Sequence, residues 1–395
     1  MQKIKSKLVT IAKDEAAYLP EWLAHHLFVG FDNIEVHVNR SSDNTIAILD
    51  KICEQYTQIS YRVFDWVDVC TEAVSRNIQF VSQALAIDEA RKSGFFSHIS
   101  FLDVDEFWFD LKINRKINDY IVELGSQNII YNLWVNDLPQ ETSFSLLDKT
   151  LSGNMSVLGK CIYPLDTSFE QLHLHIPEIS QGKRYILPNG EYVIFDSNAP
   201  QAVIEEQRKL YDAIVFHRAT RSEMEYVSLV YRGRPSDRFP YKRNRRGLPS
   251  QYEHTVNINL NDAFVRERNR AIERILSVCG DDLLNIAKNF VIQRYHQSIS
   301  QLSEYLSNEY EILVEIFKGV HIHEVVLHFT RFRQQKLKEC GNDVDKIRIL
   351  AQQAIHQSVD EAVLLIKLAH SLRPTGPLIN KLKDKYIAKQ RALNL

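Results

Sequence analysis

Short apolar strands alternate with longer helical stretches between residues 7 and 135, and this alternation constrains the fold more than any other feature of the sequence. Runs rich in β-branched residues predict strands, and apolar residues spaced by three and four predict helices. The predicted strands are Lys7–Ala12, Asn33–Val38, Ile59–Phe64, His98–Leu102 and Asn128–Trp134, and the predicted helices are Tyr18–Val29, Asn44–Tyr56 and Arg76–Ser93. Strands joined by helical crossovers form a mostly parallel sheet with helices on both faces. Residues 1–250 are therefore predicted to form one α/β domain, whose strands become short and irregular after residue 136.

A second, helical domain is predicted for residues 255–395. Gly and Pro become infrequent there, and the apolar spacing is helical throughout. Residues 358–389 resemble one tetratricopeptide unit, with two helices, small residues at their crossing and a proline between them. A plain helical hairpin is the preferred interpretation, because tetratricopeptide units need neighbours to bury their faces.

The balance of charges argues against a nucleic-acid partner. The 395 residues include 48 Lys and Arg against 50 Asp and Glu, a formal net charge of −2, so no positive field draws the chain to nucleic acid. The five cysteines are far apart and form no C-x-x-C pair, which is typical of a reducing compartment. The sequence shows no export signal and no apolar stretch of the roughly 18 residues that span a membrane. A cytoplasmic protein is expected, and it can still dock peripherally on the inner membrane.

Three acidic residues follow the fourth predicted strand: Asp103, Asp105 and Glu106. If the strand continues, its alternation places Asp103 and Asp105 on one side, where their carboxylates converge. Carboxylates this close repel one another unless a cation lies between them, and oxygen ligands suit Mg²⁺ or Mn²⁺. The sequence therefore predicts a metal site here. A solvated acidic turn is the alternative.

Several segments, in this order, carry a family resemblance. They are Thr10–Glu15 (TIAKDE), Leu19–His26 (LPEWLAHH), Val29–Asp32 (VGFD), Asn39–Thr45 (NRSSDNT) and Asp103–Phe107 (DVDEF). Together they resemble the bacterial GT-A glycosyltransferases related to families 2 and 92, over roughly residues 6–250. The resemblance implies a GT-A fold and metal-dependent transfer of a sugar from a nucleoside diphosphate to a hydroxyl of a glycan or lipid-linked saccharide. It also implies a cytoplasmic step in surface polysaccharide or lipopolysaccharide synthesis.

The resemblance further implies roles for individual residues. The nucleotide-sugar is expected to contact Ala12, Lys13, Glu15, Asn39, Asp43, Asp103, Lys160, His217 and Arg221. Asp43 is expected to read the base or ribose, and its position also predicts that it caps the helix that follows. Glu15 taken alone is an ordinary solvated turn residue.

A histidine is expected to complete the metal site with Asp103 and Asp105. His173 and His175 fall in a predicted strand, Gln171–Ile176, whose alternation places both on one face. His175 matches the family segment and is the predicted ligand, and His217 is the alternative. Two half-buried strand histidines without a role remain the other interpretation.

The resemblance gives less guidance on the general base. Family 2 relatives keep a catalytic acid beyond the corresponding strand, which makes Asp137 the candidate base. Arg218 departs from the family pattern, because an aromatic residue is usual there. The basic stretch 231–246 could close over the diphosphate, bind an anionic acceptor, touch an anionic membrane or be a solvated loop.

Other classes of function fit less well. Haloacid-type phosphatases need their acids at the first strand, and sugar nucleotidyltransferases need a Gly-rich loop after it, which this chain lacks. The remaining alternative is a catalytically silent GT-A-like module for glycan binding or for assembly with other enzymes of the pathway.

Overall fold

The computed structural model describes residues 3–112, 115–180, 182–233 and 239–393. A mixed α/β region with a mostly parallel, curled sheet is followed by a helical C-terminal region. The strands are β1 Ser6–Ala12, β2 Asn33–Val38, β3 Ile59–Val63, β4 His98–Phe101, β5 Glu106–Asp110, β6 Ile129–Asp137, β7 Thr150–Pro164, β8 Phe169–Gln171, β9 Glu178–Ile179, β10 Tyr185–Ile186, β11 Phe195–Asp196, β12 Ala199–Val203, β13 Ala213–His217 and β14 Thr255–Asn259.

The helices carry the crossovers and the C-terminal region. They are α1 Leu19–Val29, α2 Thr45–Gln55, α3 Glu72–Ser75, α4 Ile78–Ser93, α5 Ile117–Glu123, α6 Glu223–Val230, α7 Asp262–Cys279, α8 Asp281–Ile316, α9 His323–Cys340, α10 Val344–Ala354, α11 Val359–Leu372 and α12 Pro377–Leu393. Short 3-10 helices lie at Asp65–Val69 and Glu205–Gln207. Among the residues described, none of the helices combines the length and apolar character needed to cross a membrane.

The main sheet has ten strands, and its path runs β3-β2-β1-β4-β7-β6-β13-β5, with β10 and β14 attached to β6 and β7. Strands β3, β2, β1 and β4 are parallel, as the alternating pattern predicts. Strand β7 then pairs antiparallel with both β4 and β6, and β13 runs parallel to β6. Strands β1, β2, β4, β6 and β13 therefore share one direction, and their carboxyl ends lie at the same edge of the sheet.

Contacts within the chain define two compact units. The first comprises residues 1–138, 144–219 and 251–290, and the second comprises 139–143, 220–250 and 291–395. Residues 255–290 thus belong with the sheet and not with the predicted helical domain 255–395. The physical reason is that β14 extends the sheet beside β7, and α7 packs against α1 and α2 through buried residues such as Ile272.

The second unit is helical and has two apolar clusters. One joins α6, α8 and α9 around Tyr226, Phe317 and Phe329, and the other joins α10, α11 and α12 around Ile347, Ile366 and Tyr386. The predicted hairpin at 358–389 corresponds to α11 and α12, which pack against each other.

Candidate active site

Asp103 and Asp105 lie in a tight turn between β4 and β5, and Glu106 begins β5, so the two aspartates do not lie on a continuation of β4. The backbone N–H of Glu106 donates to the Asp103 carbonyl at 2.9 Å, which closes the turn. Strand β5 then pairs antiparallel with β13, so that Glu106 lies opposite His217, and His217 is also opposite Asn136 in β6. Strand pairing therefore brings together residues that are far apart in sequence.

Lys160, from β7, provides a buried positive charge beside two of the acids. Its Nζ lies 3.4 Å from Asp103 Oδ2 and 3.5 Å from Glu106 Oε2. The Glu106 side chain is fully buried, whereas the Asp103 side chain is 42% exposed. Glu106 Oε2 also accepts the backbone N–H of Asp103 at 3.0 Å. Asp103 is thus held at the solvent side of the cluster, where a ligand can reach it.

Burial sets the protonation of this cluster. It raises the pKa of Glu106 to about 8, with Lys160 opposing and Asp103 reinforcing the shift. Burial alone would lower the pKa of Lys160, but the carboxylates of Asp103 and Glu106 raise it above its usual value. At neutral pH the site therefore holds a charged Lys160 and a largely protonated Glu106.

His217 lies beside Asp105. The distance from its Nε2 to Asp105 Oδ2 is 3.6 Å, and its Nδ1 lies 2.9 Å from Asn136 Oδ1. With the amide oxygen of Asn136 as acceptor, Nδ1 carries a proton. Nε2 can then carry a second proton and pair with Asp105, or offer its lone pair to a metal ion.

Trp134 connects the remaining groups of the site. Its ring centroid lies 4.4 Å from that of His217 and 4.7 Å from that of His175, and Lys160 Nζ lies 5.9 Å from it. The predicted strand Gln171–Ile176 is wrong, because β8 ends at Gln171 and both histidines follow it. The Nδ1 of His175 lies 3.0 Å from the Gly159 carbonyl oxygen of β7, and burial lowers the pKa of His175 to about 4.

The loops after β1 and β2 are tied to each other. Asp43 Oδ2 accepts the Ala16 N–H at 2.9 Å, and its Oδ1 accepts the Thr45 N–H at 3.0 Å, so Asp43 does hold the start of α2. The N–H of Asn39 donates to the Ala12 carbonyl at 3.1 Å. Burial raises the pKa of Asp43. These contacts shape the edge of the sheet on which a nucleoside is expected to lie.

The other predicted residues are placed as follows. Lys13 and Glu15 are half-buried in the loop after β1, at the same sheet edge as Asp103. Asp137 ends β6 and is 1% exposed, opposite Gly153 of β7. Arg221 belongs to the second compact unit and is buried there, with a left-handed φ of 56°. In the basic stretch 231–246, residues 234–238 lie outside the described residues.

A buried ion network beneath the site escapes sequence analysis. Glu21 Oε2 accepts from Arg218 Nη1 at 2.9 Å, and Glu21 Oε1 accepts from Arg268 Nη2 at 2.6 Å. Burial would raise the pKa of Glu21, but the two guanidinium groups lower it. The backbone N–H of Arg218 donates to the Asp105 carbonyl at 2.6 Å. The network thereby anchors the turn that carries the acids. The sequence signal is Arg218, which stands where the family resemblance predicts an aromatic residue.

The donor chemistry of the site suits a divalent cation. Asp103 and Asp105 offer carboxylate oxygens, His217 offers a nitrogen, and Glu106 Oε1 is buried without a hydrogen-bond partner among the described residues. Among the residues that the structure describes, no group of three His, Cys, Asp or Glu side chains is arranged to hold a metal ion. The set Asp103, Asp105 and His175 stays a prediction, and the nearest histidine contact to Asp105 is made by His217.

Comparisons with known proteins leave the family resemblance dependent on the motifs alone, since no protein-family model and no curated protein matches the chain.

Proposed function

We propose that the chain is a GT-A glycosyltransferase that moves a sugar from a nucleoside diphosphate to a hydroxyl of a glycan or lipid-linked saccharide. The observation that carries the proposal is the convergence of Asp103, Asp105, Lys160 and His217 at the carboxyl edge of parallel strands. Ligands of such sheets bind at that edge. The proposed setting is surface polysaccharide or lipopolysaccharide synthesis at the cytoplasmic face of the membrane.

In this proposal the acids and the buried lysine receive the diphosphate of the donor. Asp103 and Asp105 would hold Mn²⁺ or Mg²⁺ with His217 or His175, and the bound cation would neutralise charge on the departing diphosphate. The Lys160 ammonium, fixed by Asp103 and Glu106, adds a positive charge that needs no rearrangement. The rigid turn and the buried network of Arg218 would keep these groups in position.

The loops after β1 and β2 would bind the nucleoside. Asp43 and Ala16 link these loops, which contain Lys13, Glu15 and Asn39, and Ala12 is the last residue of β1. Asp137 remains the proposed general base for the acceptor hydroxyl. Arg221 is proposed to contact the nucleotide-sugar or the saccharide acceptor. An inverting transferase needs such a base within hydrogen-bond reach of the acceptor.

The test measures donor binding and transfer separately. A panel of nucleotide-sugars with and without Mn²⁺ is screened for thermal stabilisation, because a ligand that binds the folded state raises the melting temperature. Transfer is then followed by release of the nucleoside diphosphate. Asp103→Ala and Asp105→Ala should each abolish transfer, whereas Asp148→Ala, which removes an exposed loop carboxylate, should not. Undiminished turnover in both site variants would refute the proposal.

One observation favours a second candidate, a catalytically silent glycan-binding or assembly module. The Lys160 ammonium already lies beside Asp103, and Glu106 is largely protonated, so the acidic turn can persist without a metal ion. This candidate predicts that nucleotide-sugar binding is unaffected by Mn²⁺ and that no donor is consumed with any acceptor. The same screen therefore separates the two functions.

A further inference from the structure

The helical unit contains a cleft that the proposed function does not use. Its volume is about 460 Å³, which is in the usual range for small-molecule sites. The cleft is lined by Ser307, Asn308, Glu309, Tyr310, Glu311, Ile312, Phe332, Lys336, Cys340, Lys346, Ile349, Leu350 and Gln353. All of these residues belong to the second compact unit.

A kink in α8 forms one wall of this cleft. Glu309 has φ −128° and ψ 28°, which breaks the helical path between Ser307 and Ile312. Helices α9 and α10 supply the other walls, through residues such as Phe332 and Leu350. Proline and glycine are common causes of helix kinks, and neither lies near Glu309.

An aromatic surface and an unsatisfied amide lie together in the cleft. The rings of Tyr310 and Phe332 are 4.8 Å apart between centroids and inclined by 36°. Gln353 Nε2 donates to Glu311 Oε2 at 2.9 Å, which fixes the orientation of the amide. Its Oε1 is then buried and accepts no hydrogen bond from the described residues. A ligand that donates a hydrogen bond at this point would remove the cost of that buried oxygen.

Three of the four charged residues that line the cleft are paired with other charged side chains, and the fourth, Glu311, accepts from the Gln353 amide. Lys336 contacts Glu339 at 2.8 Å, Lys346 contacts Asp343 at 3.3 Å, and Glu309 contacts Arg243 at 2.9 Å. Two lysines and two glutamates line the cleft, so their formal charges balance and the arrangement favours a neutral ligand. A neutral ligand with hydroxyl donors and an apolar face matches both the amide and the aromatic rings.

We propose that this cleft binds a neutral pyranose unit of a saccharide. The C–H face of the ring would lie on Tyr310 and Phe332, and a ring hydroxyl would donate to Gln353 Oε1. A second hydroxyl could donate to Glu311, whose carboxylate already orients the amide. The inference goes beyond the proposed transferase and does not depend on it, because the cleft is built from the helical unit alone.

Saturation-transfer NMR on the full chain tests the inference, with uncharged methyl glycosides of glucose, galactose, mannose and N-acetylglucosamine as probes. At least one glycoside should receive saturation, with the strongest transfer to C–H protons of one ring face. Gln353→Ala should weaken its binding about fivefold, which corresponds to one hydrogen bond of ~1 kcal/mol. Gln335→Ala, which removes an exposed glutamine from α9, should leave binding unchanged.

A second variant keeps the test decisive if Gln353→Ala alters folding. Ile349 lines the cleft and is 44% exposed, so Ile349→Trp should fill the cleft without disturbing the core and should abolish binding. Asp103→Ala should bind the glycoside normally, even if it loses transfer, which separates this inference from the proposed function. Absence of saturation transfer with all four glycosides, or binding that survives Ile349→Trp, would overturn it.

Discussion

Glu106 should make the stability of the sheet unit depend on pH in an unusual direction. Burial raises its pKa from the ordinary 4.5 to about 8 in the folded protein. Between these values the folded state holds a proton that the unfolded state has lost, so stability is greatest below about pH 4.5 and falls as pH rises towards 8. The linkage relation gives a loss of about 2 to 3 kcal/mol between pH 5 and pH 7 from this group alone.

The perturbation that isolates this effect is Glu106→Gln, which keeps the shape of the protonated acid and cannot ionise. Urea unfolding is measured for both proteins at several pH values by tryptophan fluorescence. All four tryptophans, Trp22, Trp66, Trp108 and Trp134, lie in the first compact unit and report on its unfolding. The variant should gain stability relative to the parent as pH rises from 5 to 7.

Buried histidines make stability rise with pH, which opposes the effect of Glu106. Comparing Glu106→Gln with the parent protein cancels their contribution. Burial lowers the pKa of His26 to about 3 and that of His98 to about 4, so their contribution to stability is lost as pH falls below about 6.5. Both proteins contain these histidines. Parallel stability curves for the two proteins between pH 5 and pH 7 would refute the assignment of a raised pKa to Glu106.

Two further substitutions test the scaffold of the site by urea unfolding. Gly159→Ala should lower the free energy of unfolding by about 1 to 3 kcal/mol or more, because the added Cβ would lie 2.1 Å from the Asn132 carbonyl oxygen. An unchanged unfolding midpoint would contradict the close approach of β6 and β7. Glu21→Gln should lower the free energy of unfolding by about 3 to 5 kcal/mol, because it leaves the buried guanidinium groups of Arg218 and Arg268 without their carboxylate. A decrease below about 1 kcal/mol would show that these charges are solvated.

The sequence predicts the parallel half of the sheet well, because each of its strands is set by local pattern. The predicted strands Asn33–Val38 and Ile59–Phe64 match β2 and β3 within one residue. Asp43 holds the start of α2 as expected, and Ser222 with Glu225 forms a capping box at the start of α6. These features depend on residues within a few positions of one another.

The central antiparallel strand could be predicted only in part. The sequence predicts only short and irregular strands after residue 136, whereas β7 extends over Thr150–Pro164 and lies between β4 and β6. Its position depends on pairing with strands distant in sequence, which local periodicity does not report. For this reason the sequence predicts that Lys160 contacts the nucleotide-sugar, but it does not predict that the Lys160 ammonium lies beside Asp103 and Glu106.

Long-range ion pairs are the least predictable part of the site. Arg268 reaches Glu21 across 247 positions of sequence, and nothing near either residue identifies its partner. The choice between His175 and His217 also depends on contacts between residues that are distant in sequence. His175 is predicted because it matches a segment of the family, whereas the pairing of β13 with β5 brings His217 beside Asp105.

The salt bridges of Lys160 have a consequence for how this chain can change in evolution. A neutral residue at position 160 would leave Asp103 without its counter-ion and the buried Glu106 without its polar partner. An apolar residue at position 106 would leave the buried ammonium with Asp103 alone. Positions 106 and 160 should therefore vary together across descendants of this sequence, and single replacements at either position should be rare.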